Sequence, residues 1–239
     1  MRIGLDVMGG DFAPVAAIDG AILAQKELSP NDQIVLIGHE VTIRSLLHER
    51  GVDASLFAIV HAPDVIEMGE HPTKAISKKP ESSIGVGFYL LKHKKIDSFA
   101  SAGNSGAMLV GSIFSVNAIQ GIIRPCSSAI IPQEDGGCSL LVDIGTNPDA
   151  KPDAFYQFGL IGSVYVKTIY NVARPRVALL NIGHEEEKGN ITTQAAYHLM
   201  KDSKDFNFTG NIESRDLFRN KADVIVCDGF TGNIILKLI

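Results

Sequence analysis

Four stretches of the chain place small, hydrogen-bonding and charged residues directly after an apolar run. In a parallel α/β sheet this is the strand end that presents ligand-binding groups. The first is Ser101-Ala-Gly-Asn-Ser-Gly-Ala107. Gly103 and Gly106 permit close backbone approach, the N–H groups of a following helix can hold an anion, and Asn104 and Ser105 add side-chain donors. The same residues also describe a tight turn with a helix cap. The second is Leu141-Val-Asp-Ile-Gly-Thr-Asn147. There Asp143 and Asn147 can orient a ligand or coordinate Mg²⁺, or pin their own loop through Asx-turn hydrogen bonds. The third is Leu180-Asn-Ile-Gly-His-Glu-Glu-Glu-Lys-Gly-Asn190. In it Lys188 is either a solvated charge or the cation that neutralises a phosphoryl group, and His184 is either a base or a surface histidine. The fourth is Val224-Ile-Val-Cys-Asp-Gly-Phe-Thr-Gly-Asn233, which offers Thr231, Gly232 and Asn233 at a helix start. A hydroxyl, a glycine and an amide at two such turns suit a phosphate gripped from two sides.

Other chemistries are less well served. No GK[ST] follows a glycine loop and no GxGxxG occurs, so a nucleotide is not specifically indicated. Cys126, Cys138 and Cys227 are too far apart for a CxxC zinc site or a disulfide framework and read as buried free thiols. No metal and no cofactor is expected. The chain has 22 Lys and Arg against 27 Asp and Glu, a net charge of -5, and no Trp. A phosphate backbone therefore meets no sustained basic stripe, and nucleic acid is not an expected partner. No apolar run approaches the roughly 20 residues that span a bilayer, and no secretory core follows the N-terminus. The expectation is a cytoplasmic protein that can still touch a membrane surface.

The elements that must position these turns follow from periodicity. Strand-like runs fall at Arg2–Val7, Gln33–Gly38, Ser98–Ser101, Ser139–Asp143, Arg176–Ile182 and Asp223–Cys227. Helices are expected after Pro14, over about Val41 to Arg50, from Ser82 or Ser83, near Gly106–Ala118, Asp153–Tyr170 and Ile191–Met200, and from Phe230 onward. Alternating strands and helices imply a mostly parallel sheet with helices on both faces. The Gly- and Pro-richer stretch Gly121–Lys151 marks either an exchange between subdomains or a hairpin insertion. One continuous α/β domain over residues 1–239 is the expectation.

The motifs also occur in a recognisable order. Asp6-Val-Met-Gly-Gly-Asp11 with Pro14, Gly103-Asn-Ser-Gly-Ala107, Asp143-Ile-Gly-Thr-Asn147, Asn181-Ile-Gly with Glu185, Glu186 and Lys188-Gly189-Asn190, Gly210-Asn211, and Cys227-Asp-Gly-Phe-Thr-Gly-Asn233 together resemble the PlsX family, the acyl-ACP:phosphate acyltransferases of bacterial phospholipid synthesis. The resemblance runs from the first residue to the last. It implies a three-layer α/β/α fold similar to that of the isocitrate and isopropylmalate dehydrogenases and of phosphotransacetylases. It also implies a homodimer, cytosolic but peripherally associated with the membrane, that takes long-chain acyl groups from acyl carrier protein. The product would be acyl phosphate, consumed by a membrane glycerol-3-phosphate acyltransferase. On matching positions Lys188 and Asn233 are the expected catalytic residues. Gly103, Asn104, Ser105, Gly106, Asp143, Asn147, Thr231 and Gly232 are expected to bind phosphate or substrate. Where the family usually has an acid, this chain has His184; it also has Ser214 for a usual Gly and Thr146 for a common Ala. Family chains are normally longer by a C-terminal segment, so this one is expected to lack it.

Acyl transfer from a thioester to phosphate needs no strong protein base, because the phosphate dianion is itself the nucleophile and a thiolate leaves readily. The demand on the protein is positioning and oxyanion stabilisation, which a site of Gly, Asn, Ser and Lys without a Ser-His-Asp triad can meet. An acyl-cysteine route is disfavoured because no His neighbours a cysteine in sequence. An acidic carrier protein would have to dock on a local basic patch; Lys74, Lys78 and Lys79, or Lys92, Lys94 and Lys95, are the candidates, with solvated faces as the alternative. A dehydrogenase of similar fold, a phosphotransacetylase and a non-catalytic scaffold are the rival readings.

Overall fold

A computed structural model describes all 239 residues. Backbone contacts gather into two compact units, Met1–Asn117 and Ala118–Ile239, where the sequence suggests one continuous domain. The division falls just before the Gly- and Pro-richer stretch.

The first unit runs β1 (Arg2–Asp6), α1 (Val15–Glu27), β2 (Gln33–Gly38), α2 (Glu40–Glu49), β3 (Ala58–His61), α3 (Pro72–Lys78), α4 (Ser83–Lys92), β4 (Ser98–Ala100) and α5 (Ser105–Val116). Its four strands are all parallel in the order β3-β2-β1-β4. Strand β2 shows why helices cover both faces. Ile34 and Leu36 pack under α1 and α2 with Ile18, Ile43 and Leu47, while Val35 and Ile37 point the other way towards Ile96 and α4. A strand buried on both sides reads as a continuous apolar run because its period-2 alternation meets a core at every residue. The chain turns from β1 to β2 on one side and reaches β4 on the other. This reversal of strand order opens the crevice where open α/β sheets bind ligands, and the Ser101–Ala107 turn sits there.

The second unit runs β5 (Ser128–Pro132), β6 (Cys138–Val142), α6 (Pro152–Ile169), β7 (Arg176–Leu180), α7 (Ile191–Lys201), β8 (Asn207–Ile212), β9 (Val224–Val226) and α8 (Gly229–Leu238). The order is β5-β6-β9-β7-β8, with β5 antiparallel to β6 and the remaining pairs parallel. The Gly121–Lys151 stretch thus holds a hairpin, β5–β6. The alternation recurs: Val177 and Leu179, with Val224 and Val226, face Phe155 and Phe158 of α6 and Met200 of α7. Ala178, Leu180 and Ile225 face Leu217 and Ile235 on the other side. Each unit is therefore a mostly parallel sheet between helical layers, as the sequence predicts. Strands β3, β5 and β8 and helix α3 are elements the periodicity does not reveal. Strand β8, Asn207-Phe-Thr-Gly-Asn-Ile212, is polar, and Gly210 interrupts it at a register shift.

Candidate functional site

In the first unit, parallel register carries two residues to the same level. Leu5 pairs with Ala100, so the next residues, Asp6 and Ser101, emerge side by side. The Ser101 hydroxyl donates to Asp6 Oδ2 at 2.6 Å, and its oxygen accepts the Gly103 N–H at 2.9 Å. Asp6 is buried, and its second oxygen accepts the Met8 N–H at 2.9 Å. The motifs taken one at a time do not reveal this carboxylate–hydroxyl pair. Recognising β1 and β4 as neighbours supplies the signal.

Four expected binding residues follow. Asn104 caps α5, its Oδ1 accepting the Ala107 N–H at 2.9 Å. Its Nδ2 points to the carbonyls of Glu67, Met68 and Glu70 at 3.0–3.2 Å. The side-chain donor expected to reach a ligand is thus turned inward, tying a loop to the helix start. Ser105 is exposed and its hydroxyl has no partner within the chain. Gly103 lies against Gly9, and Gly106 against Pro72. Of the two basic patches, Lys79 drops out. Its Nζ sits 2.5 Å from Glu70 and 2.8 Å from the Val65 carbonyl. Lys74, Lys78, Lys92, Lys94 and Lys95 are exposed and form no ion pair.

In the second unit Asp143 is the most heavily bonded carboxylate and is fully buried. Oδ1 accepts the N–H groups of Ser127, Gly145 and Thr146 and the Ser127 hydroxyl, at 2.8–3.2 Å. Oδ2 accepts the Asn147 N–H and its side-chain amide at 2.7 and 2.8 Å. Burial pushes the Asp143 carboxyl up. The bonds from Thr146, Asn147 and Ser127 more than offset that and hold it below the usual range. No lone pair remains to hold a ligand. Of the two roles open to Asp143, the geometry matches the loop anchor. Asn147 is equally committed, its amide bonding Asp143 and the Pro125 carbonyl.

The start of α8 packs onto this loop. Gly232 is buried so closely against it that any Cβ would collide with the Asp143 carbonyl oxygen, so only glycine fits. Thr231 donates its N–H and hydroxyl to Asp228, which caps α8. The asparagine Asn190 caps α7 in the same manner. At α8 the cap is itself an anion, so a phosphate does not find that terminus empty. Asn233 is half-buried, its side chain over Gly145, and its amide forms no hydrogen bond within the chain.

Lys188 comes from a different loop, beside a cleft that the start of α8 also lines. A cleft of about 340 Å³ opens at the carboxyl ends of β7, β8 and β9. It is lined by Asn181, Gly189, Asn190 and Thr193 on one side and Ser214, Asp228, Thr231 and Ile235 on the other. Lys188 is exposed, immediately before Gly189 of that lining, and no carboxylate pairs with it. Gly189 takes φ +93°, a conformation that favours glycine, and turns the chain from Lys188 into α7. His184 is held otherwise: Nδ1 lies 3.2 Å from the Asn211 carbonyl, and Nε2 lies 3.4 Å from both Glu213 and Asp216. The histidine bridges loop and strand end.

Of the three thiols, expected to be buried, Cys227 is buried while Cys126 and Cys138 are half-buried; Cys126 and Cys227 are poorly suited to nucleophilic work. Burial, then the Asp143 charge, pushes Cys126 up to about 12. Burial and the Asp228 and Asp143 charges raise Cys227 further, and its Sγ–H donates to the Asp143 carbonyl.

A family profile described as "Fatty acid synthesis protein" matches residues 1–239. A phosphate acyltransferase of Dictyoglomus turgidum is 47% identical over 237 residues, covering 99% of this chain and 70% of its own length. The chain belongs to the PlsX family of phosphate acyltransferases. Another member of this acyltransferase family, from Syntrophomonas wolfei subsp. wolfei, is 45% identical, covering 99% of this chain and 74% of its own. Among solved structures, a phosphotransacetylase from Streptococcus pyogenes superposes with a TM-score of 0.68 at 15% identity, over all of this chain and 80% of that one. That likeness is one of fold, the three-layer α/β/α arrangement. No helix is long and apolar enough to cross a membrane.

Proposed function

We propose that the chain transfers a long-chain acyl group from the thioester of acyl carrier protein to inorganic phosphate. A phosphate oxygen attacks the thioester carbonyl, the C–O bond forms, and the C–S bond breaks as the thiolate departs with the electron pair and takes a proton from solvent. The product is an acyl phosphate for phospholipid synthesis. Family membership supports the reaction class, and the ordered motifs support the finer reading of donor and product.

The observation that carries the site assignment is Lys188. It is an unpaired cation on the rim of a cleft whose neighbouring helix starts are already capped by the chain's own side chains. A phosphate dianion there needs a compensating charge from a side chain, and Lys188 supplies it. The unbonded amide of Asn233 is free to donate to a phosphate oxygen or to the carbonyl oxygen as charge develops on it. In the first unit Asn104 and Gly106 offer backbone N–H groups and Ser105 its hydroxyl to substrate, while Gly103, whose N–H is held by Ser101, permits close approach. Asp143, Asn147 and Gly232 hold the loop on which α8 begins. The homodimer, the peripheral membrane contact and the downstream membrane glycerol-3-phosphate acyltransferase belong to the same reading.

The test is acyl phosphate formation, trapped with hydroxylamine, from palmitoyl carrier protein and phosphate. Phosphate-dependent product that is lost or needs far more phosphate in Lys188→Ala supports the reading. Wild-type turnover with an unchanged phosphate KM in that variant removes Lys188 from the site. A preference for acyl-CoA over the carrier protein replaces the donor.

A further inference from the structure

The amide of Asn211 is an oddity in its surroundings. It sits in β8, is 5% exposed, and occupies a place where strand burial favours Val or Ile. Burying a primary amide is costly unless its polar atoms are bonded. Here both ends of the side chain bond to the segment that follows β7. Nδ2 donates to the Glu185 carbonyl at 2.8 Å, and Oδ1 accepts from Asn181 Nδ2 at 3.2 Å. Asn181 in turn donates to the Lys188 carbonyl at 3.0 Å. The backbone of Asn211 adds a third tie, its carbonyl facing His184 Nδ1. The result is a lattice of amides joining the end of β8 to Asn181, His184, Glu185 and Lys188.

We infer that Asn211 is a positioning residue for Lys188, acting through Glu185 and Asn181, and that it sets the affinity for phosphate without touching it. The inference rests on the phosphate role of Lys188 proposed above. The ammonium sits on a flexible four-carbon stem, so the backbone carrying it must be fixed if the charge is to be delivered at one place. The Glu185 carbonyl and the Lys188 carbonyl bracket the turn, and both end on the same pair of side chains. A strand residue chosen for its own strand would not direct its whole hydrogen-bonding capacity into one loop.

The test is a double-mutant cycle of Asn211→Ala and Lys188→Ala, read as phosphate KM and kcat separately, with backbone amide exchange of residues 182–189. Asn211→Ala is expected to raise the phosphate KM about tenfold, a ~1.4 kcal/mol effect, while kcat changes little, and to speed exchange in that loop. In the Lys188→Ala background the same change should add almost nothing to KM. Asn211→Gln, which keeps both polar ends, should recover part of the loss. If Asn211→Ala proves insoluble, Asn181→Ala breaks the same lattice at a half-buried position and carries the cycle. Multiplicative effects in the double mutant, or unchanged exchange in 182–189, overturn the inference. A Lys188→Ala enzyme with wild-type KM instead overturns the phosphate role of Lys188, and the exchange measurement then still decides whether Asn211 holds the loop.

Discussion

The two units each end a central strand on a buried aspartate, and the two carboxylates are held very differently. Asp6 accepts one backbone N–H and one hydroxyl, from Met8 and Ser101. Asp143 accepts from Ser127, Gly145, Thr146 and Asn147, with both oxygens filled. Register explains the shared position: Asp6 emerges beside Ser101 as Asp143 emerges beside Cys227. Cys227 donates its S–H hydrogen bond to the Asp143 backbone carbonyl, and the carboxylate takes its partners from its own loop and from Ser127. Ser101 offers a strong hydroxyl donor, and the Asp6 turn needs fewer. The same strand-end residue therefore builds a rigid loop in one unit and a lightly bonded carboxylate–hydroxyl pair in the other.

This contrast can be broken in a graded way. Asp143→Asn replaces an acceptor with a donor facing several N–H groups, and should destabilise the second unit by roughly 3–5 kcal/mol, because more than one buried donor loses its acceptor. Urea unfolding followed by far-UV circular dichroism measures it. The pH dependence gives the same loss another signature. The Asp143 carboxyl is depressed in the fold, so its stabilisation is present above the unfolded value of about 3.9 and disappears as pH falls through the lower folded value. The acid limb of stability should therefore be shallower in Asp143→Asn than in the parent.

Next in size is Lys188→Ala, expected to lower kcat/KM for phosphate by about 100-fold, ~2.7 kcal/mol of transition-state stabilisation. Its melting temperature should stay within the range of an ordinary surface substitution, because the side chain is exposed and unpaired. Asp6→Asn should cost about 1–3 kcal/mol, since fewer donors lose their acceptor than at Asp143. Equal losses at Asp6 and Asp143 in the same urea series would erase the distinction drawn between the two turns. The smallest effect is expected from Cys126→Ser, which removes a thiol held largely in its protonated form. Hydroxylamine-trapped product should form at the parent rate, and a lost burst of acylated enzyme would argue otherwise.

Much of the fold was legible in the sequence because the central strands are buried on both faces. Runs such as Gln33–Gly38 and Arg176–Leu180 are apolar at nearly every position, and turn residues close them. Strand β8 hid because its partners, not its own side chains, make it a strand. The aspartates were visible, but their roles were not. Whether a carboxylate holds a ligand or its own loop depends on how many donors converge on it, and Ser127 reaches Asp143 from 16 residues away. The direction of the Asn104 side chain was hidden for the same reason: its amide is consumed by carbonyls more than 30 residues upstream. Lys188 was legible as a lone cation beside glycine. Sequence could not say that Glu186 would pair with Lys201 while Glu185 and Glu187 leave Lys188 unpaired.

The polar strand β8 also bears on attempts to make this enzyme sturdier. A search for stabilising substitutions that scores each strand residue by burial and propensity would select Val or Ile at 211. On the role inferred for Asn211, the substitution would improve the strand and release the Lys188 loop, so selection for heat resistance alone would move along a path that selection for phosphate affinity must refuse.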